Sequence, residues 1–172
     1  SDVCSSDLYP QSLRERVALL KGLEAAALQR VYDERVRLSP GAEIMIARFR
    51  RLGIKTLLVS GGFTFFTERL RECLQLDWTR SNVLDIADDR LTGNVVGEIV
   101  DAEVKKQALL ERRDELGIAR EQIIGMGDGA NDLKFMGECA VGIAYHAKPV
   151  VRAQATHALT YVGLDGVLNL FN

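Results

Sequence analysis

Asp128 and Asp132 stand four positions apart in GMGDGANDLKFM, residues 125–136, with Gly127, Gly129 and Asn131 around them. Carboxylates are hard oxygen ligands, and Mg²⁺ takes one or two of them while keeping several waters. A second stretch of bare backbone, Ser60-Gly61-Gly62, follows the apolar run Leu57-Leu58-Val59. Its hydroxyl and unhindered N–H groups outline a cradle for an anion, aided by the positive end of the helix expected next. A cation beside such a cradle suits phosphoryl transfer, where catalysis is mostly positioning and charge neutralisation. Plainer readings exist. Ser-Gly-Gly after a strand is commonly only a turn, and an acid in a first helical turn answers the helix dipole. The dipole needs one acid of GDGAND, not two.

Gly125-Met126-Gly127-Asp128-Gly129-Ala130 also fits the dinucleotide pattern G-x-G-x-x-[GA] between a strand and a helix. Asp128 would then set a negative charge among glycines that must meet a pyrophosphate. No acid stands about 20 residues on to hold a ribose; KPVVRAQAT is found there. A nucleotide-binding module is therefore the alternative reading. Lys105 and Lys106 lie in a charged helical stretch, for which a solvated face is the expectation. His146 and His157 lack metal-ligand spacing and are read as structural.

The elements that must position these residues follow from periodicity. Residues 11–36 predict helices interrupted at Gly22, and SPGAEIMIARFRRLGI predicts a helix with Ser39 as cap, Pro40 in the first turn and Gly53 past its end. KTLLVSGG predicts a buried parallel strand running into a glycine loop. FTFFTERLRECLQL predicts a helix, VLDIADDRLTGNVVGEIV a hairpin, and DAEVKKQALLERRDELGI a helix ending at Gly117. QIIGMGDG, AVGIAY and HALTYV predict further strands, with a short helix over ANDLKFMGEC and a closing one over DGVLNLF. Alternating strands and helices argue for an α/β parallel sheet, and the helical start for a separate cover.

The 172 residues carry a formal charge of −2, which offers no electrostatic reason to expect nucleic acid or a membrane surface. No apolar run is long enough to span a bilayer. Three scattered cysteines without metal spacing read as reduced thiols of a cytoplasmic protein.

VSGGFTFF, LTGNVVGEIVDAEVKKQ, GDGANDLKFM and GIAYHAKP, in that order, resemble the phosphoserine phosphatases of the haloacid dehalogenase superfamily. The resemblance runs from about Tyr9 to the end of the chain. It implies a Rossmann-like core with a small helical cap, Mg²⁺ dependence, and hydrolysis of a small phosphomonoester, O-phosphoserine. It implies that Ser60 and the Gly61 amide bind phosphate, as does Lys105. It implies that Asp128 is the Mg²⁺ ligand, Asp132 its supporting acid and Asn131 a substrate-side contact. In the cap it implies that Arg16 binds the substrate carboxylate, which a guanidinium fork suits, and that Tyr9 lines the pocket.

The family's nucleophile and general acid come from D-x-D-x-[TV] at the end of an apolar strand. No D-x-D occurs in the chain, and Asp2 and Asp7 follow no apolar strand. The expectation is therefore a truncated member, lacking the central first strand and inactive as it stands. Residues 1–8 are expected to be an unrelated or disordered leader, 9–38 a helical cap remnant, and 39–172 an incomplete Rossmann-like core.

Overall fold

The computed structural model describes residues 4–171, with side chains described from Leu8 onward. Asp2 and the side chains of the expected leader up to Asp7 lie outside the described residues. Two compact units result. One comprises the described residues up to Arg37 together with Leu58–Asp101. The other comprises Leu38–Leu57 together with the described residues from Ala102 onward.

In the first unit, helices α1 (Cys4–Ala18) and α2 (Ala26–Arg35) precede strand β1 (Leu57–Phe63), whose first residue is the boundary position. Helix α4 (Thr64–Leu74) and strands β2 (Trp78–Ala87) and β3 (Arg90–Val96) complete it. The sheet order is β1-β2-β3. The expected hairpin is present: β2 and β3 pair antiparallel with Ala87 opposite Arg90. Its two loop residues, Asp88 and Asp89, have φ of 49° and 60°. A two-residue hairpin needs that left-handed pair to match strand twist, and Asp tolerates it. Leu13 and Val17 on α1 pack with Leu28, Leu84, Leu91 and Val95 to form the core, against which Tyr9 also rests. The expected break at Gly22 is a left-handed turn (φ 83°) whose N–H donates to the Leu91 carbonyl at 2.8 Å. The helical start thus docks on the edge of β3.

One expectation is corrected here. KTLLVSGG does not run from a buried strand into a glycine loop. Strand β1 continues through Gly61 and Gly62 to Phe63 and is half-buried throughout. Glycine inside a strand often marks a close approach, and a Cβ at Gly61 would lie 2.3 Å from the Tyr9 hydroxyl.

The second unit holds helix α3 (Ala42–Arg51), helix α5 (Ala102–Leu116), strand β4 (Ile124–Gly127), helix α6 (Leu133–Met136), strand β5 (Val141–Tyr145), helix α7 (Pro149–Arg152) and strand β6 (His157–Leu159). Strands β4, β5 and β6 pair in parallel, with Gly127 opposite Ala144 and Tyr145 opposite Leu159. This is the parallel α/β arrangement that the alternation predicts. The closing segment Leu164–Phe171 is a 3₁₀ helix against α3, with Phe49 edge-on to Phe171. Gly53 and Gly117 take left-handed conformations just past α3 and α5, as expected. Ser39 does not cap α3 by its hydroxyl. Gly41, at φ 80°, intervenes, and the Ser39 carbonyl accepts the Ala42 N–H. No described helix is long and apolar enough to cross a membrane.

Candidate functional site

In the second unit the chemistry gathers at the carboxyl end of β4, where open α/β sheets place ligands. Asp128 follows the last strand residue, and a single 3₁₀ turn, Ala130–Asp132, leads into α6. The Asp132 carboxylate is the hub. Its Oδ1 accepts from Lys105 Nζ at 2.7 Å. Its Oδ2 accepts the backbone N–H of Asp128 at 3.1 Å and of Gly129 at 3.2 Å. The side chain lies flat on Gly127, where a Cβ would come within 2.4 Å of the Asp132 Cβ. Glycine at 127 is thus a condition of this loop.

The burial of this hub decides what it can do. The Lys105 and Asp132 side chains are 7% and 8% exposed. The expectation that Lys105 lies on a solvated face is corrected: α5 turns it inward to the loop. Only its neighbour Lys106 meets that expectation in part, pairing with Glu138 at 3.0 Å. Burying two charges costs several kcal/mol each unless they are paired and hydrogen-bonded, and here both conditions are met. Asp132 therefore holds the loop, and its oxygens are occupied. Asp128 and Asn131 are exposed. Among the described residues the Asp128 carboxylate has no hydrogen-bond or ion-pair partner. An unpartnered carboxylate on a rigid loop fits Mg²⁺, which takes few protein oxygens and keeps much of its water. The described residues contain no group of three or more His, Cys, Asp and Glu that could hold a metal.

The same geometry bears on the dinucleotide alternative. The amides of Asp128 and Gly129 are spent on Asp132, Gly125 is closed by Cys139 and Phe135, and α6 has only four residues. A pyrophosphate would find those two amides taken and no helix dipole of useful length.

In the first unit Ser60, Gly61 and Tyr9 come together. The Ser60 Oγ accepts the Gly62 N–H at 3.0 Å, leaving its own proton free to donate outward. The Tyr9 hydroxyl stands over Gly61. Arg16 lies two turns beyond Tyr9 on α1, exposed, with Nε donating to the Ser12 carbonyl at 3.3 Å. Asn82 was not singled out by the sequence. It is 1% exposed, donates Nδ2 to the Gly61 carbonyl at 2.8 Å and accepts the Val100 N–H at 2.8 Å. The one signal for it is a polar amide on the inward side of the β2 alternation.

Comparison with known proteins follows the same lines. The haloacid dehalogenase-like hydrolase profile matches residues 5–137. A phosphoserine phosphatase of Polaromonas sp. is 53% identical over 166 residues, covering 94% of this chain and 70% of that protein. The crystal structure of a probable phosphoserine phosphatase from Vibrio cholerae superposes with a TM-score of 0.90 at 41% identity, covering 92% of this chain and 49% of that one. A phospho-aspartyl intermediate analogue of a phosphoserine phosphatase superposes with a TM-score of 0.87 at 33% identity, covering 93% of this chain and 76% of that one.

Proposed function

The chain belongs to the haloacid dehalogenase-like hydrolases, among their phosphoserine phosphatases, and we propose that its residues serve Mg²⁺-dependent hydrolysis of O-phosphoserine to serine and phosphate. The observation that carries this reading is the loop after β4. One acid, Asp132, is consumed in holding it, and the other, Asp128, is left free at a strand's carboxyl end. Asp128 is the metal ligand in this reading. Bound there, Mg²⁺ supplies positive charge against the phosphoryl oxygens. Asp132 orients Lys105 through the 2.7 Å contact to its Nζ. The Ser60 hydroxyl, the Gly61 amide and Lys105 are phosphate contacts, Asn131 and Tyr9 substrate-side contacts, and Arg16 the carboxylate contact, each assigned by its match to the family's motifs. Arg16 is free to swing, since its Nε meets only its own helix among the described residues.

The covalent step proposed is attack by an aspartate carboxylate on phosphorus, forming an aspartyl-phosphate while the second acid of D-x-D protonates the departing serine oxygen. That second carboxylate then takes a proton from water as the water oxygen attacks phosphorus, releasing phosphate and restoring the nucleophile. These 172 residues contain no D-x-D pair to supply that aspartate. The chain as it stands is therefore expected to bind Mg²⁺ and phosphate without turning phosphoserine over. A thermal-shift series tests the reading: Mg²⁺ with phosphate raises the melting temperature, Asp128→Ala abolishes the rise, and NAD gives none. Stabilisation by NAD without Mg²⁺ would overturn it in favour of the nucleotide-binding module. Phosphate release from O-phosphoserine that disappears in Asp128→Ala would overturn the expected inactivity. A fusion placing an apolar strand with D-x-D-x-T ahead of Tyr9 is expected to gain that activity. In it Arg16→Ala should spare a phosphate ester lacking a carboxylate.

A further inference from the structure

We infer that Asn82 is a positioning residue for the phosphate-binding Ser60-Gly61-Gly62 stretch, an inference that rests on the reading of Ser60 above. Asn82 is buried in β2 at 1% exposure, which is rare for an amide unless every polar atom is matched. Its orientation is unambiguous. The Val100 N–H can only donate, so it faces Oδ1. The Gly61 carbonyl can only accept, so it faces Nδ2.

The peptide unit between Gly61 and Gly62 is thereby gripped at both ends. Its carbonyl takes the Asn82 amide, and its N–H goes to the Ser60 Oγ at 3.0 Å. Ser60 has used one lone pair on that N–H, so its hydroxyl proton is the group left to meet an anion. Rotation of this peptide would release the Ser60 hydroxyl from its fixed orientation. Glycine at 61 and 62 leaves the peptide soft, because glycine has the widest conformational freedom. Tyr9 closes one side of Gly61 by contact alone. Asn82 supplies the directional bond. A buried, fully satisfied amide here fixes the aim of a catalytic hydroxyl at a distance of 21 to 22 positions in sequence.

The test separates aim from stability. Inorganic phosphate, with Mg²⁺ present, is titrated by calorimetry into the chain and four variants: Asn82→Asp, Asn82→Ala, Val95→Ala and Ser60→Ala. Asn82→Asp keeps an acceptor for Val100 and turns the donor facing Gly61 into an acceptor. We expect phosphate affinity to fall by about tenfold in Asn82→Asp, as in Ser60→Ala, the size of one charge-assisted hydrogen bond. The Val100 amide should stay slow to exchange in Asn82→Asp and become fast in Asn82→Ala. Val95→Ala, which thins the same core, should lower the melting temperature and leave phosphate affinity within about twofold. Unchanged affinity in Asn82→Asp beside weakened affinity in Ser60→Ala overturns the inference and leaves the reading of Ser60 intact. Unchanged affinity in Ser60→Ala overturns both, by a different pattern. If the Asn82 variants do not fold, the Asn82 side-chain NH₂ resonances of the unaltered chain decide. A shift on phosphate titration supports the inference, and no shift overturns it.

Discussion

The two glycine-bearing stretches are held in opposite ways. The Gly127–Asp132 loop is anchored from within. Asp132 ties down the amides of Asp128 and Gly129, four and three positions back, and an ionic bond to Lys105 fixes the anchor. The Ser60-Gly61-Gly62 stretch has one bond of its own, from the Gly62 N–H to Ser60 Oγ, and is otherwise anchored from outside, by the neutral amide of Asn82 on a neighbouring strand and by contact with Tyr9 on a helix. A self-tied, charged anchor gives a loop whose cohesion depends on one ion pair. A borrowed, neutral anchor spreads the same task over a strand and a helix. The first should fail abruptly when one residue changes, and the second gradually.

The largest effect is expected at Lys105. Lys105→Met leaves the Asp132 carboxylate buried without its counter-charge, which costs about 3–5 kcal/mol and should show in equilibrium urea unfolding. Adding Asp132→Asn removes the stranded charge and keeps an acceptor for the loop amides, so the double variant should recover much of that loss. Asn82→Ala strands a backbone donor and a backbone acceptor, both neutral, and should cost about 1–3 kcal/mol. Equal losses for Lys105→Met and Asn82→Ala would erase the distinction between the two anchors.

This distinction also explains what could be read from the chain alone. The Asp128–Asp132 pair was legible because all of its loop partners lie within five residues, where spacing carries geometry. The hairpin was legible because Asp88-Asp89 sits between alternating strands, although the positive φ of both appears only in the fold. The burial of Lys105 was not legible. Its helix is charged throughout, and only the inward turn of α5 toward a loop 27 positions away separates it from Lys106. Nor was the run of β1 through Gly61 and Gly62, because the reason lies in Tyr9 and Asn82, distant in sequence. The expected Ser39 cap failed for a local reason that spacing could not reveal. Gly41 turns left-handed where a Cβ would strike Asp165.

A smaller effect distinguishes the two glycines that are approached most closely. At Gly127 an added Cβ meets the Asp132 Cβ at 2.4 Å, an atom fixed to the backbone, so Gly127→Ala must shift the loop and should cost about 1–3 kcal/mol. At Gly61 the added Cβ meets the Tyr9 hydroxyl at 2.3 Å, the far tip of a side chain. Removing that oxygen with Tyr9→Phe should restore most of the stability lost in Gly61→Ala, whereas no single truncation short of Asp132→Gly should rescue Gly127→Ala. Melting temperatures of the two single and two double variants check this. Failure of Tyr9→Phe to rescue Gly61→Ala would mean that the strand, not the tyrosine, refuses the methyl group.

The remaining effects depend on pH, and they fall at opposite ends of the scale in the two units. In the second unit burial pushes the Cys139 thiol up from 9.0 to about 11, with its Sγ facing the Phe135 carbonyl at 3.3 Å. Between those values the unfolded chain has lost the proton and the folded chain retains it, so stability must fall as pH rises through that window. Cys139→Ala should flatten this alkaline limb relative to the unaltered chain, whatever it costs by leaving a cavity. In the first unit a hydrogen bond from Thr79 holds the Glu68 carboxyl below its ordinary 4.5, against an opposing push from burial and with help from Arg71. A depressed acid contributes stability above its ordinary value and loses it as pH falls through the depressed one. Thr79→Val should therefore reduce stability at neutral pH slightly and make the acid limb below 4.5 shallower. The Glu68 and Arg71 side chains are each 42% exposed, so solvent and salt screen their pair, and the part of the effect that Arg71 contributes should fade with added salt. The alkaline effect of Cys139, a buried neutral group, should not fade. If salt removed both limbs alike, the thiol would be reached by solvent, and the packing of Cys139 beneath Gly125 would be looser than the 2.7 Å approach of its Sγ to an added Cβ requires.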